Sequence, residues 1–198
     1  MKVFAKKKGI THLYDDSGKH RVVSILDILD TVVAKIEKRG DQDLVHFALL
    51  GKENKTKKPI KGQYPKIGPV SRIETEFSKQ CLLKEGSKLT VSDFEDVKDI
   101  SISSVTKGKG FAGTIKRFGF KRGPKSHGSR NYRKPGSIGD TGPQRVLKGK
   151  KMAGRMGLEK RTIHNIEIIK IIKDKKEIWV SGHVPGAKKS ISVVTKND

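Results

Sequence analysis

Residues 101–161 read SISSVTKGKGFAGTIKRFGFKRGPKSHGSRNYRKPGSIGDTGPQRVLKGKKMAGRMGLEKR. This stretch carries 17 lysine and arginine side chains against two acidic ones, Asp140 and Glu159, which gives a net charge of +15. It also holds 12 of the 21 glycines of the chain. Because glycine is frequent and apolar runs are short, the stretch can bury little of itself, and its charges repel one another. This charge density indicates a polyanionic partner such as RNA or DNA.

The composition of the whole chain narrows the class of protein further. Its 198 residues carry a net charge of +23, which is typical of proteins that bind nucleic acid or an anionic membrane surface. We expect no membrane partner, because the chain lacks an amphipathic basic helix and an apolar run of about 20 residues. The basic residues 1–10 are followed by no apolar segment, so we expect no secretory signal. The single cysteine, Cys81, excludes an internal disulfide and predicts a cytoplasmic location.

Short runs rich in Val, Ile and Thr flank the basic stretch on both sides, separated by Gly and Asp turns such as Asp15–Gly18. This pattern predicts a mainly β fold, built as an antiparallel barrel or sandwich. A helix over Ser24–Ile36 is the alternative, and we favour strands there because β-branched residues dominate. The predicted strands cover residues 1–5, 10–14, 20–29, 31–37, 44–50, 71–77, 89–91, 100–105, 162–172, 178–180 and 191–195.

The order of these segments predicts two domains. Residues 1–100 and 162–198 would form one β-domain, and residues 101–161 would be inserted into it as a basic extension. The strands 100–105 and 162–172 would form the base of this extension. A loop is expected over Lys52–Gly68, with a short helical turn near residues 60–64.

Two further helical segments are predicted locally. Ser92 followed by Glu95 has the spacing of an N-terminal capping box, which predicts a short helix starting there. Residues 111–118 are expected to form two helical turns, with Phe111, Ile115 and Phe118 packed as a small satellite core.

The segment Gly108–Gly113 matches the pattern G-x-G-x-x-G of dinucleotide-binding proteins. A dinucleotide fold also needs a following helix, a parallel strand and an acidic residue about 20 positions later, and no acid occurs here before Asp140. We therefore interpret these glycines as positions where the backbone lies close to phosphates. The glycine- and lysine-rich segment Lys148–Gly157 is interpreted in the same way, since it lacks the order of a P-loop.

Aromatic residues in the extension lie among basic ones, and such rings either stack on unpaired bases or pack locally. The sequence leaves both possibilities open for Phe120, His127 and Tyr132. No catalytic constellation, metal site or cofactor site is expected. The predicted nucleic-acid contacts are Lys107, Lys109, Lys116, Arg117, Lys121, Arg122, Lys125, His127, Arg130, Tyr132, Arg133, Lys134, Arg145, Lys148, Lys150, Lys151, Arg155 and Arg161.

Several motifs in one order resemble the L3 family of large-subunit ribosomal proteins, bacterial type. The resemblance runs along essentially the whole chain. It rests on residues 7–11, Thr106–Phe118, Ser126–Ser129, Lys134–Gly139, Lys148–Gly157 and Val184–Ala187.

The resemblance implies a six-stranded Greek-key barrel of the elongation-factor and reductase-isomerase type, carrying a long irregular basic extension. It implies binding to 23S-type rRNA near its 3′ end, an early role in subunit assembly, and an extension that reaches toward the peptidyl transferase centre. The implied neighbours are ribosomal proteins L-fourteen and L-nineteen, with no homo-oligomer. Some members carry a methylated Gln where this chain has Arg155, so we expect no such methylation here.

Two rival hypotheses remain at this point. One is an unrelated nucleic-acid-binding module, such as a protein that compacts DNA. The other is a nucleotide-dependent enzyme that uses the loop Gly108–Gly113.

Overall fold

A computed structural model describes residues 1–14, 18–51, 58–64, 67–78 and 83–196. Three predictions fall wholly or partly outside these ranges. They are the turn at Asp15–Gly18, of which only Gly18 is described, the loop Lys52–Gly68, of which residues 58–64 and 67–68 are described, and Cys81. The described strands are β1 (Lys2–Tyr14), β2 (His20–Ile28), β3 (Thr31–Arg39), β4 (Gln42–Leu50), β5 (Val70–Ser78), β6 (Lys88–Leu89), β7 (Asp99–Val105), β8 (Phe111–Ala112), β9 (Gly154–Arg155), β10 (Lys160–Ile172), β11 (Glu177–Ser181) and β12 (Ile191–Lys196).

Six of these strands close into an antiparallel barrel in the order β1-β12-β7-β10-β11-β2. Both ends of the chain contribute, since β1 pairs with β12 and with β2. A second sheet has the order β5-β4-β3-β6, and β8 pairs with β9 in a separate two-stranded ladder. The prediction of a mainly β fold is therefore confirmed.

The segment for which a helix was the alternative forms strands. Residues 24–36 lie in β2 and β3, joined by a short connection at Leu29 and Asp30. Their Val, Ile and Thr side chains pack well on a pleated surface and lose rotamer freedom in a helix.

One apolar core serves the barrel and the second sheet. Phe4 of β1, Phe47 of β4 and Phe94 are almost completely buried in it, together with barrel residues such as Ile102 and Val194. A smaller cluster around Tyr64 and Val70 lies with Ala34 and Ala48 of the second sheet. Burial of these side chains supplies the main driving force for folding of this part of the chain.

Several local predictions needed correction. The two predicted runs 1–5 and 10–14 are one strand, β1, because a β-bulge between Lys7 and Gly9 absorbs the irregularity. The helix predicted to start at Ser92 is a 3₁₀ turn at Val91–Phe94, in which the Asp93 carboxylate accepts a hydrogen bond from the Thr90 amide (2.7 Å). The helical turn expected near residues 60–64, in contrast, is confirmed, because helix α1 covers Lys58–Gln63.

The chain divides into two compact units. Unit 1 comprises Met1–Val105 and Lys160–Asp198, and the basic unit comprises Thr106–Glu159. Within unit 1, β7 and β10 pair up to the boundary, where Val105 lies opposite Lys160. In the described part of the chain, no helix has both the length and the apolar character needed to cross a membrane.

Candidate nucleic-acid interface

The basic unit concentrates positive charge on exposed side chains. It contains 15 lysine and arginine residues against Asp140 and Glu159, a net charge of +13. Every predicted contact residue in it is exposed, except Arg117 and Tyr132, which are half-buried. The remaining predicted contact, Arg161, is exposed on β10 in unit 1, opposite Ser104 of β7.

The two ends of the basic unit are joined by a ladder of backbone hydrogen bonds, which we call the stem. The Thr106 amide donates to the Glu159 carbonyl (3.0 Å). Further along, the Lys109 amide donates to Met156, and the Met156 amide donates to Gly110, both at 2.9 Å. The ladder continues into β8 and β9, where Phe111 lies opposite Arg155. Residues 44 to 53 positions apart in the chain are thus held side by side.

Gly157 allows the two sides of the stem to approach. Its φ is +75°, and a Cβ added there would lie 2.1 Å from the Lys107 carbonyl oxygen. A side chain at this position would therefore meet a backbone atom that has little freedom to move. The glycine is required here by sterics within the protein, whereas the sequence interpretation assigned the glycines of this segment to phosphate approach.

The predicted helix over residues 111–118 is shorter than expected. Phe111 and Ala112 pair with β9, and helix α2 covers only Thr114–Phe118. Gly119 ends it in the left-handed conformation, with φ of 71°. Phe111 and Ala112 pair with Gly154 and Arg155 of β9 and so do not join the helix. The local sequence gives no sign of this distant strand, which is why it predicts a longer helix.

Arg117 of α2 is used inside the basic unit. Its guanidinium Nη1 donates to the Met152 carbonyl (2.9 Å), and its guanidinium carbon lies 4.9 Å from the centroid of the Phe118 ring. A Cβ on Gly154 would lie only 2.6 Å from the same Nη1. Arg117 therefore links α2 to the segment that leads into β9, and Gly154 leaves room for it.

The predicted satellite core is wrong for two of its three members. Phe111 is 81% exposed and Phe118 is 37% exposed. The described residues of this unit that are most buried are instead Ala112 and Thr114, each 4% exposed. The pairing of β8 turns the Phe111 ring outward, away from the positions at which a helix would have brought it near Ile115.

The rings with two possible roles differ in their surroundings. Tyr132 packs locally: its hydroxyl accepts a hydrogen bond from Arg122 (3.3 Å), and the Lys125 ammonium lies 5.8 Å from its ring centroid. The Gly123 amide also donates to the Tyr132 carbonyl (3.0 Å). His127 is exposed and has a left-handed backbone conformation, with φ of 59°.

The segment Lys148–Gly157 presents four exposed cations, Lys148, Lys150, Lys151 and Arg155. None of them forms an ion pair with a carboxylate of the described residues. Uncompensated charges on a well-defined backbone are suited to binding an anion that carries several charges.

The described residues form neither a metal site nor a dinucleotide-binding site. Among them, no group of three or more His, Cys, Asp or Glu side chains could hold a metal ion. The loop Gly108–Gly113 leads into the short helix α2, and its strand β8 pairs antiparallel with β9. A dinucleotide fold needs a strand, a helix and a parallel strand in this order, so the loop lacks that context.

Comparison with known proteins gives a consistent result. A family model described as Ribosomal protein L3 matches residues 4–195. The chain is 38% identical over 197 residues to the large ribosomal subunit protein uL3 of Streptococcus mutans serotype c. This alignment covers 97% of this chain and 94% of that protein. The uL3 proteins of Streptococcus pyogenes serotype M1 and Streptococcus agalactiae serotype Ia are 38% and 37% identical with the same coverage.

Proposed function

Since the chain belongs to the ribosomal protein L3 family, whose members are structural components of the large ribosomal subunit, we propose that it binds large-subunit rRNA through its basic unit. Membership of this family also confirms the prediction that the chain is not an enzyme. The observation that carries the proposal is the net charge of +13, which lies on exposed side chains except for Arg117, with no carboxylate of the described residues paired to the cations of Lys148–Arg155.

The proposed mechanism is electrostatic and geometric. Exposed Lys and Arg side chains neutralise phosphates and release condensed counterions, which drives binding and makes it depend on salt. The stem holds the two halves of the unit together, so that cations from both halves reach the same region of RNA. The candidate contacts from Lys107 to Arg155, and Arg161 on β10, are proposed to act in this way.

The finer features of the family resemblance are part of the same proposal. The barrel would be of the Greek-key type found in elongation factors, and the basic unit would thread through 23S-type rRNA toward the peptidyl transferase centre. The chain would bind near the 3′ end of this rRNA early in assembly, beside L-fourteen and L-nineteen. It would be present as a single copy on cytoplasmic ribosomes.

Binding measurements with the full-length protein test the proposal against a DNA-compacting role. A fragment from the 3′ part of the large-subunit rRNA and a DNA duplex of equal length are compared at about 0.05 and about 0.2 M salt. We expect tighter binding to the rRNA at both salt concentrations, because folded RNA presents unpaired bases and close phosphates that a duplex lacks. Equal affinity for the two nucleic acids would contradict rRNA as the specific partner.

A further inference from the structure

Phe111 is the most exposed large apolar side chain of the described residues, at 81%. It lies on β8 directly opposite Arg155 on β9. Side chains of directly opposed residues leave a sheet on the same face, so the ring and the guanidinium group project from the same face of this ladder. We propose that Phe111 and Arg155 form a stacking site for an unpaired nucleobase, an inference that rests on the proposed binding of rRNA.

The surroundings of Phe111 leave its ring available. The other exposed ring nearby, Phe118, already has the Arg117 guanidinium carbon 4.9 Å and the Lys151 ammonium 5.9 Å from its centroid. Phe111 has no cation or ring partner among the described residues. A base therefore meets a free ring face at Phe111, whereas it would have to displace a cation at Phe118.

The backbone beneath the pair is held on both sides. Hydrogen bonds join Lys109 and Gly110 to Met156, and the guanidinium of Arg117 lies against Gly154. Because these contacts exist in the free protein, little backbone conformational entropy is lost when a ligand binds the exposed pair. The site is thus preorganised on its described elements.

The chemistry of the pair favours an unpaired base of RNA over an apolar protein surface. Aromatic rings stack on the π-face of any base, and a planar guanidinium group stacks on a base or bonds the adjacent phosphate. The unit that surrounds the pair carries 15 cations and two carboxylates. An apolar partner would leave those charges without compensation, while a nucleotide offers both a ring and a phosphate.

The test uses full-length protein and single-stranded oligoadenylate of about a dozen nucleotides, compared with an abasic oligomer of the same length and charge. Phe111→Ala and Phe111→Leu remove the ring, and Phe111→Tyr keeps it. Phe77→Ala is the matched control, because Phe77 is a 59% exposed ring on β5 in unit 1. All four variants change exposed side chains, and circular dichroism checks that they fold.

We expect Phe111→Ala and Phe111→Leu to weaken binding of oligoadenylate about tenfold, while Phe111→Tyr and Phe77→Ala bind like the wild type. The loss should be the same at low and high salt and absent for the abasic oligomer, because stacking releases no counterions. Unchanged binding by Phe111→Leu, or an equal loss on the abasic oligomer, overturns the stacking site alone. Failure of the wild type to bind the rRNA fragment overturns both the proposed function and this site.

Discussion

At the scale of single residues, the contact between Arg117 and Gly154 gives Arg117 a structural role that the composition of the chain does not reveal. The sequence places Arg117 among the candidate RNA contacts, whereas in the structure it donates to the Met152 carbonyl and lies against Gly154. Its charge still adds to the field of the basic unit. Its geometry, however, is used to hold α2 against the segment before β9.

The contact between these two residues can be measured by a double-mutant cycle. Gly154→Ala should lower the local stability of the stem by about 1 kcal/mol, because the new methyl group displaces Arg117 from Met152. In an Arg117→Ala background the same change should cost nothing, since the space is then free. The readout is hydrogen exchange of the Met156 amide, which is bonded to Gly110. Equal effects of Gly154→Ala in the two backgrounds would refute the contact.

A second residue-scale prediction concerns Glu177 of unit 1. Its carboxylate is buried. It accepts one hydrogen bond from the Lys8 ammonium group and another from the Trp179 indole (3.2 Å). The hydrogen bond from Lys8 holds the pKa of Glu177 below its ordinary value, although burial opposes this shift. Folding therefore favours the ionised carboxylate, and its contribution to stability is present above the unfolded pKa of about 4.3.

This contribution should be lost as the pH falls through the lowered pKa of the folded state. Glu177→Gln is expected to reduce the free energy of unfolding at neutral pH and to flatten its decline in acid. Urea unfolding of wild type and variant from neutral pH to about pH 3 measures both effects. Asp96→Asn, which changes an exposed carboxylate, is the control. The assignment fails if Glu177→Gln leaves the pH dependence as steep as that of the wild type.

At the scale of elements, the stem explains why β8 and β9 exist although each is only two residues long. An isolated ladder of this length is not stable in water. Here it is extended by the bonds of Lys109 and Gly110 to Met156 and of Thr106 to Glu159. Gly157 allows this extension, because its backbone passes close to the Lys107 carbonyl.

Gly157→Ala should therefore open the stem. The positive φ and the collision with a backbone oxygen together should cost about 2–5 kcal/mol. Gly128→Ala is a matched control, since Gly128 has a similar φ of 71° but nothing within 4 Å of an added Cβ, and it should cost only about 1 kcal/mol. Exchange of the Lys109 amide, bonded to Met156, reports the local opening. Similar protection in the two variants would show that the stem does not depend on Gly157.

At the scale of the whole molecule, unit 1 contains an apolar core built from both ends of the chain. Val105 and Lys160 lie opposite each other where the basic unit begins and ends. A two-residue turn such as Asn-Gly is sufficient to join antiparallel strands at such a pair. Unit 1 should consequently fold without the basic unit.

A variant in which Asn-Gly replaces residues 106–159 tests this prediction. Its melting temperature should lie within about 5 °C of the wild type, and its affinity for the rRNA fragment should fall at least about a hundredfold, because 15 cations are removed. Thermal unfolding and the binding assay described above measure the two quantities. Retention of wild-type affinity would place the main RNA contacts in unit 1.

Properties that depend on composition and on local pattern follow from the amino-acid sequence alone. The acid-free run from Ser101 to Gly139 indicated a polyanionic partner, because net charge adds up whatever the fold. The dominance of β-branched residues predicted strands correctly even at residues 24–36, because branched side chains pack well on a pleated surface and lose rotamer freedom in a helix. Motifs in a fixed order identified the family.

Which side chains of the basic unit are free depends on contacts that form only in the folded chain. Phe111 is predicted in a core and is exposed, and the guanidinium group of Arg117, which stays a predicted RNA contact, also donates to the Met152 carbonyl. Both outcomes depend on pairing between segments more than 30 residues apart. The physical reason is that such pairing follows from where the whole chain closes, and neither the charge nor the periodicity of a local segment contains that information.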